Sequence, residues 1–294
     1  MKIQIITPAL ASARAGNRAT AQRWSLIFQS LGHQVKIATK YDGNPSDAMV
    51  ILHARRNADA VRSFTDKYPS HPCILALTGT DIYRFIHSEP EITLASIQRA
   101  SHLVGLNDQV ANTLPIDQRK KLTIIFQSCQ YFASRPQARS EFKVCVVGHL
   151  RHEKDPMRPA LAVRALPRHS RIYISHFGKA FNQDWAKMAR LETASNARYH
   201  WNGEIPASQI IRCYRSAKIL ALPSRMEGGA NVICESINAE LPIIASRVSG
   251  NVGLLGKNYP GLHAVEDTEE LRALLLRAEC DQSFYNKLLR ASQQ

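Results

Sequence analysis

What this chain of 294 residues lacks narrows its class before anything it contains is weighed. No apolar run approaches the length of a membrane-crossing helix. The six cysteines (Cys73, Cys129, Cys145, Cys213, Cys234 and Cys280) are scattered and never spaced as C-x-x-C. Neither a disulfide framework nor a zinc site is therefore implied. There is no H-E-x-x-H helix, no Gly-Lys-Ser/Thr phosphate loop, no G-x-G-x-x-G fingerprint and no Asp-x-Asp pair for a catalytic Mg²⁺. Zinc-finger spacing, an aromatic RNA-binding signature, a basic heptad region, internal repeats and low-complexity tracts are also missing. The opening Met1–Pro8 is too short and too interrupted, by Gln4 and Pro8, for a signal peptide, and reads as a first strand. The expectation is a cytoplasmic globular protein that needs no metal or other cofactor.

Charge is abundant, and one sign prevails. Thirty-eight Lys and Arg against 24 Asp and Glu leave a net +14. Such an excess suits nucleic acid, an acidic membrane surface or polyanionic small substrates. The basic residues are spread along the chain rather than gathered in a tail or one helix, so charge favours anionic partners and selects none.

Short β-branched runs alternate with helical patterns from end to end. The strand candidates are Ile3–Thr7, Val35–Thr39, Met49–Leu52, Ile74–Leu77, Leu103–Leu106, Thr123–Phe126, Lys143–Val147, Ile172–Ser175, Arg198–Trp201, Ile219–Leu222 and Ile243–Ser246. Helical patterns between them include Thr20–Leu31, Asn57–Lys67, Glu91–Ala100, Pro159–Leu166, Asp184–Ser195 and Ala207–Ser216. This alternation predicts an α/β protein with parallel sheets and crossover helices. Eleven strands exceed one comfortable sheet, and the polar, proline-containing residues 134–140 read as a linker. Two facing Rossmann-like domains are expected, over residues 1–133 and 141–294, with ligands in the cleft at the carboxyl ends of their strands.

The densest chemistry lies in Pro223–Glu235, which reads PSRMEGGANVICE. Glu227 and Glu235 bracket a turn holding Gly228 and Gly229, between the strand Ile219–Leu222 and a helix expected over Ala230–Glu240. Bare N–H groups at such a helix start donate to a phosphate, and carboxylates accept hydrogen bonds from vicinal hydroxyls. Glu235 is expected just over two turns inside the helix, with Glu227 at its mouth; a solvated helix entry is the plainer alternative. Ser249–Gly253 reads as a further permissive loop.

Four other loops at strand ends carry polar chemistry. Ala13–Thr20, with Arg14 and Arg18 and with Thr20 as a possible cap, fits either an anion cradle or an ordinary helix entry. His53-Ala54-Arg55-Arg56 offers arginine forks for an oxyanion, or a solvated helix start. Thr78-Gly79-Thr80-Asp81 either binds a substrate or caps the short helix after it. In Gly148–Pro156, Arg151 and Lys154 are spaced to clamp a diphosphate and to stabilise its charge as it leaves. His149 and His152 lack a third metal ligand. Trp201, before Asn202-Gly203-Glu204, either packs in the core or stacks on a base.

As a set these residues resemble the GT-B glycosyltransferases with a glutamate–seven residues–glutamate motif. The correspondence rests on Glu227 and Glu235 with Gly148, Arg151, Lys154, Asn202-Gly203, Pro242 and Gly250. It covers most of the C-terminal half and the Leu31-Gly32-His33-x-Val35 junction. The resemblance implies an N-terminal acceptor domain and a C-terminal nucleotide-sugar domain with no required metal. It implies that Arg151 and Lys154 hold the diphosphate, that Glu235 takes the ribose, and that Glu227 with Gly228, Gly229, Ala230 and Asn231 grips the sugar and phosphate. Gly16, Asn17, Asn202 and Glu204 complete the implied donor site. The family's catalytic-site histidine has no secure counterpart; His53 and Asp81 are the candidates.

Within that group, Thr7-Pro8, Gly16-Asn17, Leu52–Arg56, Leu77–Tyr83 and Arg151-x-x-Lys154-Asp155-Pro156 look like the bacterial selenosugar synthases of selenoneine biosynthesis. Asn251–Gly256 and Tyr259–Leu262 fit the same pattern. Those enzymes move a sugar from a UDP-sugar, typically UDP-N-acetylglucosamine, to selenophosphate. Arg14, Arg18, Thr20, His53, Arg55, Arg56, Thr78, Gly79, Thr80 and Asp81 would then line the acceptor site. Small-molecule substrates are expected, with no nucleic acid or membrane partner. The alternatives are a glycosyltransferase acting on a glycan or lipid and, from another class, a basic nucleic-acid-binding protein.

Overall fold

The computed structural model describes residues 1–13, 15–129 and 141–293; the expected linker, 134–140, and Arg14 lie outside them. Contacts divide the chain into two compact units. The first is Met1–Cys129 with Glu227–Asn231, and the second is Gln130–Met226 with Val232–Gln294.

The first unit is built on six parallel strands: β1 (Lys2–Ile6), β2 (Gln34–Ala38), β3 (Ala48–Leu52), β4 (Cys73–Leu77), β5 (His102–Gly105) and β6 (Leu122–Ile124). Their spatial order is β2-β1-β3-β4-β5-β6. Side chains alternate across a strand, so β3 sends Met49 and Ile51 into one apolar cluster and Val50 and Leu52 into the other. Helices α1 (Gly16–Ser30), α2 (Ala58–Lys67) and α3 (Pro90–Arg99) connect the strands. Phe64 and Ile97 from α2 and α3 cover the first cluster; Ala21, Trp24 and Phe28 from α1 cover the second. Both faces are buried, as an all-parallel sheet requires.

The second unit repeats the plan with β7 (Phe142–Val147), β8 (Ile172–Phe177), β9 (Tyr199–Trp201), β10 (Ile219–Leu222), β11 (Ile243–Ser246) and β12 (Leu262–His263). The order is β12-β11-β10-β7-β8-β9, again all parallel. Its helices are α4 (Arg158–Arg164), α5 (Gln183–Ser195), α6 (Ala207–Ser216), α7 (Asn231–Asn238), α8 (Ser249–Leu255), α9 (Thr268–Cys280) and α10 (Gln282–Ser292). The chain reverses its winding direction between β1 and β3 in one sheet and between β7 and β10 in the other. At such a point the loops leave in opposite directions and open a crevice for a ligand.

Several expectations are corrected. Helix α1 begins at Gly16, four residues before Thr20, so Thr20 is an interior residue whose hydroxyl donates to Gly16 O (3.1 Å) and caps nothing. Helix α7 begins at Asn231, which puts Glu235 about one turn inside it rather than two. Ser249–Gly253 is helix α8 rather than a loop, with Gly250 and Gly253 buried. Strand β12, two residues long, was not foreseen because periodicity cannot register in so short a run. Gly32 does end α1, at φ +84°.

Candidate functional site

In the second unit the crevice is bordered by the loops after β7 and β10, which carry Arg151, Lys154 and the start of the Pro223–Glu235 segment. Three sets of contacts fix these loops. The backbone N–H groups of Arg225 and Met226 both donate to Glu153 O, at 2.9 and 3.3 Å. Arg225 Nη2 meets Glu266 Oε1 at 2.7 Å and Asp155 Oδ1 at 3.3 Å, while Arg158 Nε meets Asp155 Oδ2 at 2.8 Å. Two carboxylates thus clamp two guanidinium groups across the two loops. Asp155 and Glu266 adopt φ +43° and +64°, a left-handed conformation that non-glycine residues seldom hold. Nothing in the sequence spacing announced this clamp, because its members lie on three separate segments.

The exit from β7 is braced from behind. His176 is buried, and its Nε2 lies 3.1 Å from the Gly148 carbonyl. A carbonyl only accepts, so Nε2 carries the proton and Nδ1 accepts from Tyr199 Oη (3.0 Å). Burial pushes His176 down to about 4, so the ring is neutral near pH 7. Gly178 lies against the same carbonyl; a Cβ there would sit 2.0 Å from Gly148 O. Arg151 Nε is 3.9 Å from Glu153 Oε2, outside hydrogen-bond range. His149 Nδ1 accepts from Lys179 N (3.1 Å), and no group of three His, Cys, Asp or Glu side chains suited to a metal exists among the described residues.

Glu235 is half-buried, and Tyr214 Oη, on α6, donates to its Oε2 at 2.7 Å. Burial raises the Glu235 carboxyl above the ordinary range, and the Tyr214 hydrogen bond opposes that rise. At the end of β9, Trp201 donates its indole N–H to Gly178 O (2.9 Å). That bond makes it part of the framework, the first of its two expected roles. Asn202 Nδ2 bonds the carbonyls of His176 (3.4 Å) and His200 (3.2 Å), and Glu204 is exposed.

The turn Glu227–Asn231 belongs to the first unit by its contacts. A Cβ on Gly228 would stand 2.3 Å from Thr78 O, and one on Gly229 would stand 2.6 Å from Leu106 Cβ. Both glycines are therefore demanded by close approach within the first unit as well as suited to a ligand. Asn107 Nδ2 donates to Gly228 O at 2.5 Å, and Asn231 Nδ2 to Gly16 O at 3.3 Å. Gln127 Nε2 donates to Thr20 Oγ1 at 2.8 Å and reaches Gly229 O at 3.5 Å. Glu227 is buried. Gly16, Thr20, Thr78, Gly79 and the turn are thus gathered in the first unit, with Asn17 following Gly16 in α1; Asn107 and Gln127, which do the gathering, were missed in the sequence.

Asp81 is fully buried and accepts from the backbone N–H groups of Ala54, Thr78, Gly79 and Ile82 at 2.8–3.2 Å. It organises the loop, the second of the roles considered for Thr78–Asp81. His53, at φ +79° and buried, accepts from Arg56 N on Nδ1 (3.2 Å), so its proton sits on Nε2 facing Thr80 Oγ1 (2.8 Å). Burial lowers its pKa first, and the neighbouring Asp81 charge only partly offsets that. The ring is a neutral donor. Arg55, expected as an anion fork, is turned to Glu89, with Nε 2.7 Å from Oε2, and covers Phe85. Arg56 is exposed, while Arg18 is partly buried with no hydrogen bond to its Nε. No helix of the described residues is long and apolar enough to cross a membrane.

Comparison with known proteins bears on the fold and on the family. The solved sucrose-phosphate synthase of Thermosynechococcus elongatus superposes with a TM-score of 0.77 at 14% identity, over 99% of this chain and 93% of that one. Anabaena Alr3699/HepE, solved with UDP and glucose, gives 0.74 at 14%, over 100% and 94%. S. aureus TarM, solved with fondaparinux, alpha-GlcNAc-glycerol and UDP, gives 0.66 at 11%, over 84% and 52%, so the chain spans about half of TarM. At these identities the likeness shows the fold, and with the two parallel sheets it is GT-B. No protein of curated function matches the sequence. Residues 127–294 match the family "Glycosyl transferases group 1". The chain belongs to the group 1 glycosyl transferases.

Proposed function

We propose that this protein transfers a sugar, N-acetylglucosamine as the first choice, from a UDP-sugar to selenophosphate, forming a carbon–selenium bond without a metal. The selenium anion attacks C1 of the donor sugar as the bond from C1 to the β-phosphate oxygen breaks. The electron pair of that bond leaves on UDP, and a selenium-linked sugar phosphate remains. Arg151 and Lys154 meet the charge that builds on the departing diphosphate, Glu235 accepts from the ribose, and Glu227 with Gly228–Asn231 holds the sugar. Gly16, Asn17, Asn202 and Glu204 complete the donor site. Residues 1–133 take the acceptor and residues 141–294 the donor; Arg14, Arg18, Arg56, Thr78 and Thr80 are the acceptor contacts.

The observation that carries the acceptor class is the state of the two candidate bases. His53 has its Nδ1 lone pair occupied by Arg56 N–H and its Nε2 proton directed at Thr80, and Asp81 accepts four backbone N–H groups. A sugar or lipid hydroxyl needs a base to remove its proton; a selenium anion needs none. The resemblance at Leu52–Arg56 and Leu77–Tyr83 supports the same acceptor. The donor class is supported by the family and by HepE, solved with UDP-glucose in the same fold.

The test is UDP release from UDP-N-acetylglucosamine in three reactions, with selenophosphate, with a panel of glycan and lipid acceptors, and with neither. Release that requires selenophosphate upholds the proposal. Release with glycans or lipids but not selenophosphate replaces it with the other transferase reading. A protein that binds DNA with a steep salt dependence and is not competed by UDP overturns both.

A further inference from the structure

Tyr214 is a buried group of the second unit that the reaction as written does not use. It sits near the end of α6, 1% exposed, and its hydroxyl donates to Glu235 Oε2 at 2.7 Å. Cys145 of β7 and Cys213 of α6 are the further titratable groups that act on the phenol, and neither acts on the carboxylate. No described residue donates a side-chain hydrogen bond to Glu235 Oε1. One oxygen is thus held from the protein side, and the other is left to accept.

We propose that Tyr214 is the positioning residue of the donor site: its hydroxyl fixes the Glu235 carboxylate so that the other oxygen, Oε1, takes the ribose hydroxyls of the nucleotide. This rests on the ribose role given to Glu235 above. The physical argument has two parts. An unheld Glu side chain rotates about three bonds and loses that freedom on binding; a carboxylate already fixed by a short hydrogen bond has less to lose. A half-buried carboxylate is also driven towards its neutral form by desolvation, and a neutral carboxyl accepts poorly from a ribose hydroxyl while its own O–H needs a partner. The phenol donor favours the ionised form, against the burial that raises the Glu235 pKa. Tyr214 therefore sets both the aim of the carboxylate and the lowest pH at which it works.

The contrast with a merely structural tyrosine gives the test. UDP binding is measured by calorimetry from pH 5 to 8 for the wild type, Tyr214→Phe and Glu235→Gln, each referred to wild type at the same pH so that titration of UDP itself cancels. In Tyr214→Phe the expected result is about 10-fold weaker binding at neutral pH, the scale of one hydrogen bond to a charged group. Its loss of affinity on acidification should begin at higher pH than in the wild type. Preference for UDP over 2′-deoxy-UDP should shrink alongside. A Tyr214→Phe protein whose affinity falls equally at every pH, with that preference intact, overturns the inference. If Glu235→Gln binds UDP as wild type does, the ribose role itself fails, whatever Tyr214 does. Should the Phe variant not fold, site-specific 3,5-difluorotyrosine at 214 keeps the shape and strengthens the donor. The acid limb must then move to lower pH, and an unmoved limb counts against the proposal.

Discussion

Replacing Arg225 by alanine tests the clamp that joins the two loops of the second unit's crevice. The substitution removes the 2.7 Å contact with Glu266 and the 3.3 Å contact with Asp155 but leaves Asp155 its 2.8 Å partner Arg158. The Glu266 side chain is 54% exposed, so its pairing contributes at most about 1 kcal/mol. The Asp155 side chain is 8% exposed, and a hydrogen bond to a charged group in such a place contributes about 1.5–3 kcal/mol. Global stability should fall by about 2–3 kcal/mol in urea unfolding. The Arg225 and Met226 backbone bonds to Glu153 O survive, so the loops loosen rather than separate. If about half of the lost energy reappears as misplacement of Arg151 and Lys154, UDP binding weakens by roughly tenfold. Calorimetry with UDP, beside urea unfolding of the same preparation, reads both quantities. A stability loss of the stated size with UDP affinity within about twofold of wild type refutes the link between clamp and site. Strict additivity of Arg225→Ala and Asp155→Asn on UDP affinity also refutes it, since coupled neighbours deviate by about 0.5–3 kcal/mol.

Further outcomes follow from the same geometry. Gly178→Ala drives a Cβ to 2.0 Å from Gly148 O, on backbone that cannot yield; it should cost at least about 2 kcal/mol of stability and weaken UDP binding. His176 is held near 4 while the unfolded ring titrates at about 6.5, so the unfolded chain binds more protons between those values and stability falls as pH drops. That group alone removes about 2 kcal/mol between pH 6.5 and 5, and His176→Gln should flatten the urea-midpoint profile there. Glu235 has the opposite sign: its folded pKa is raised, so the folded state holds the proton longer, and stability falls as pH rises from the ordinary carboxyl value through the raised folded one. Glu235→Gln should therefore be no less stable than wild type at pH 7 while binding UDP more weakly, and a marked fall in its melting temperature contradicts this. Arg55→Ala should leave anion binding intact, because the guanidinium is engaged by Glu89.

Much of this architecture was legible because parallel sheets write themselves as apolar runs. All eleven strand candidates correspond to observed strands, with ends shifted by a few residues, and only β12, the two-residue Leu262–His263, escaped. The four polar loops were found at strand ends because a strand end is visible in sequence. Their roles were less visible. In sequence Thr78–Asp81 fits a substrate site as well as a helix cap until four backbone N–H groups converge on Asp81, and Arg55 fits an anion fork as well as a solvated helix start until Glu89, 34 residues away, arrives beside it. The same holds for Tyr214 and Glu235, 21 residues apart, and for Arg225 and Asp155, 70 residues apart. Pairings of that reach depend on the register of whole sheets, which periodicity does not carry. Thr20 was misjudged for a local reason: Gly16-Asn17-Arg18 is a poor helix opening by propensity, and packing of Ala21 and Trp24 on the sheet draws it into α1 regardless.

The most direct measurement is identification of the product formed from selenophosphate and UDP-N-acetylglucosamine labelled with ¹³C at C1. A one-bond coupling between that carbon and ⁷⁷Se, appearing with stoichiometric UDP and lost in Glu235→Ala, is the predicted result. UDP formed together with a sugar bonded to oxygen at C1, or no UDP from any donor when selenophosphate is present, contradicts it.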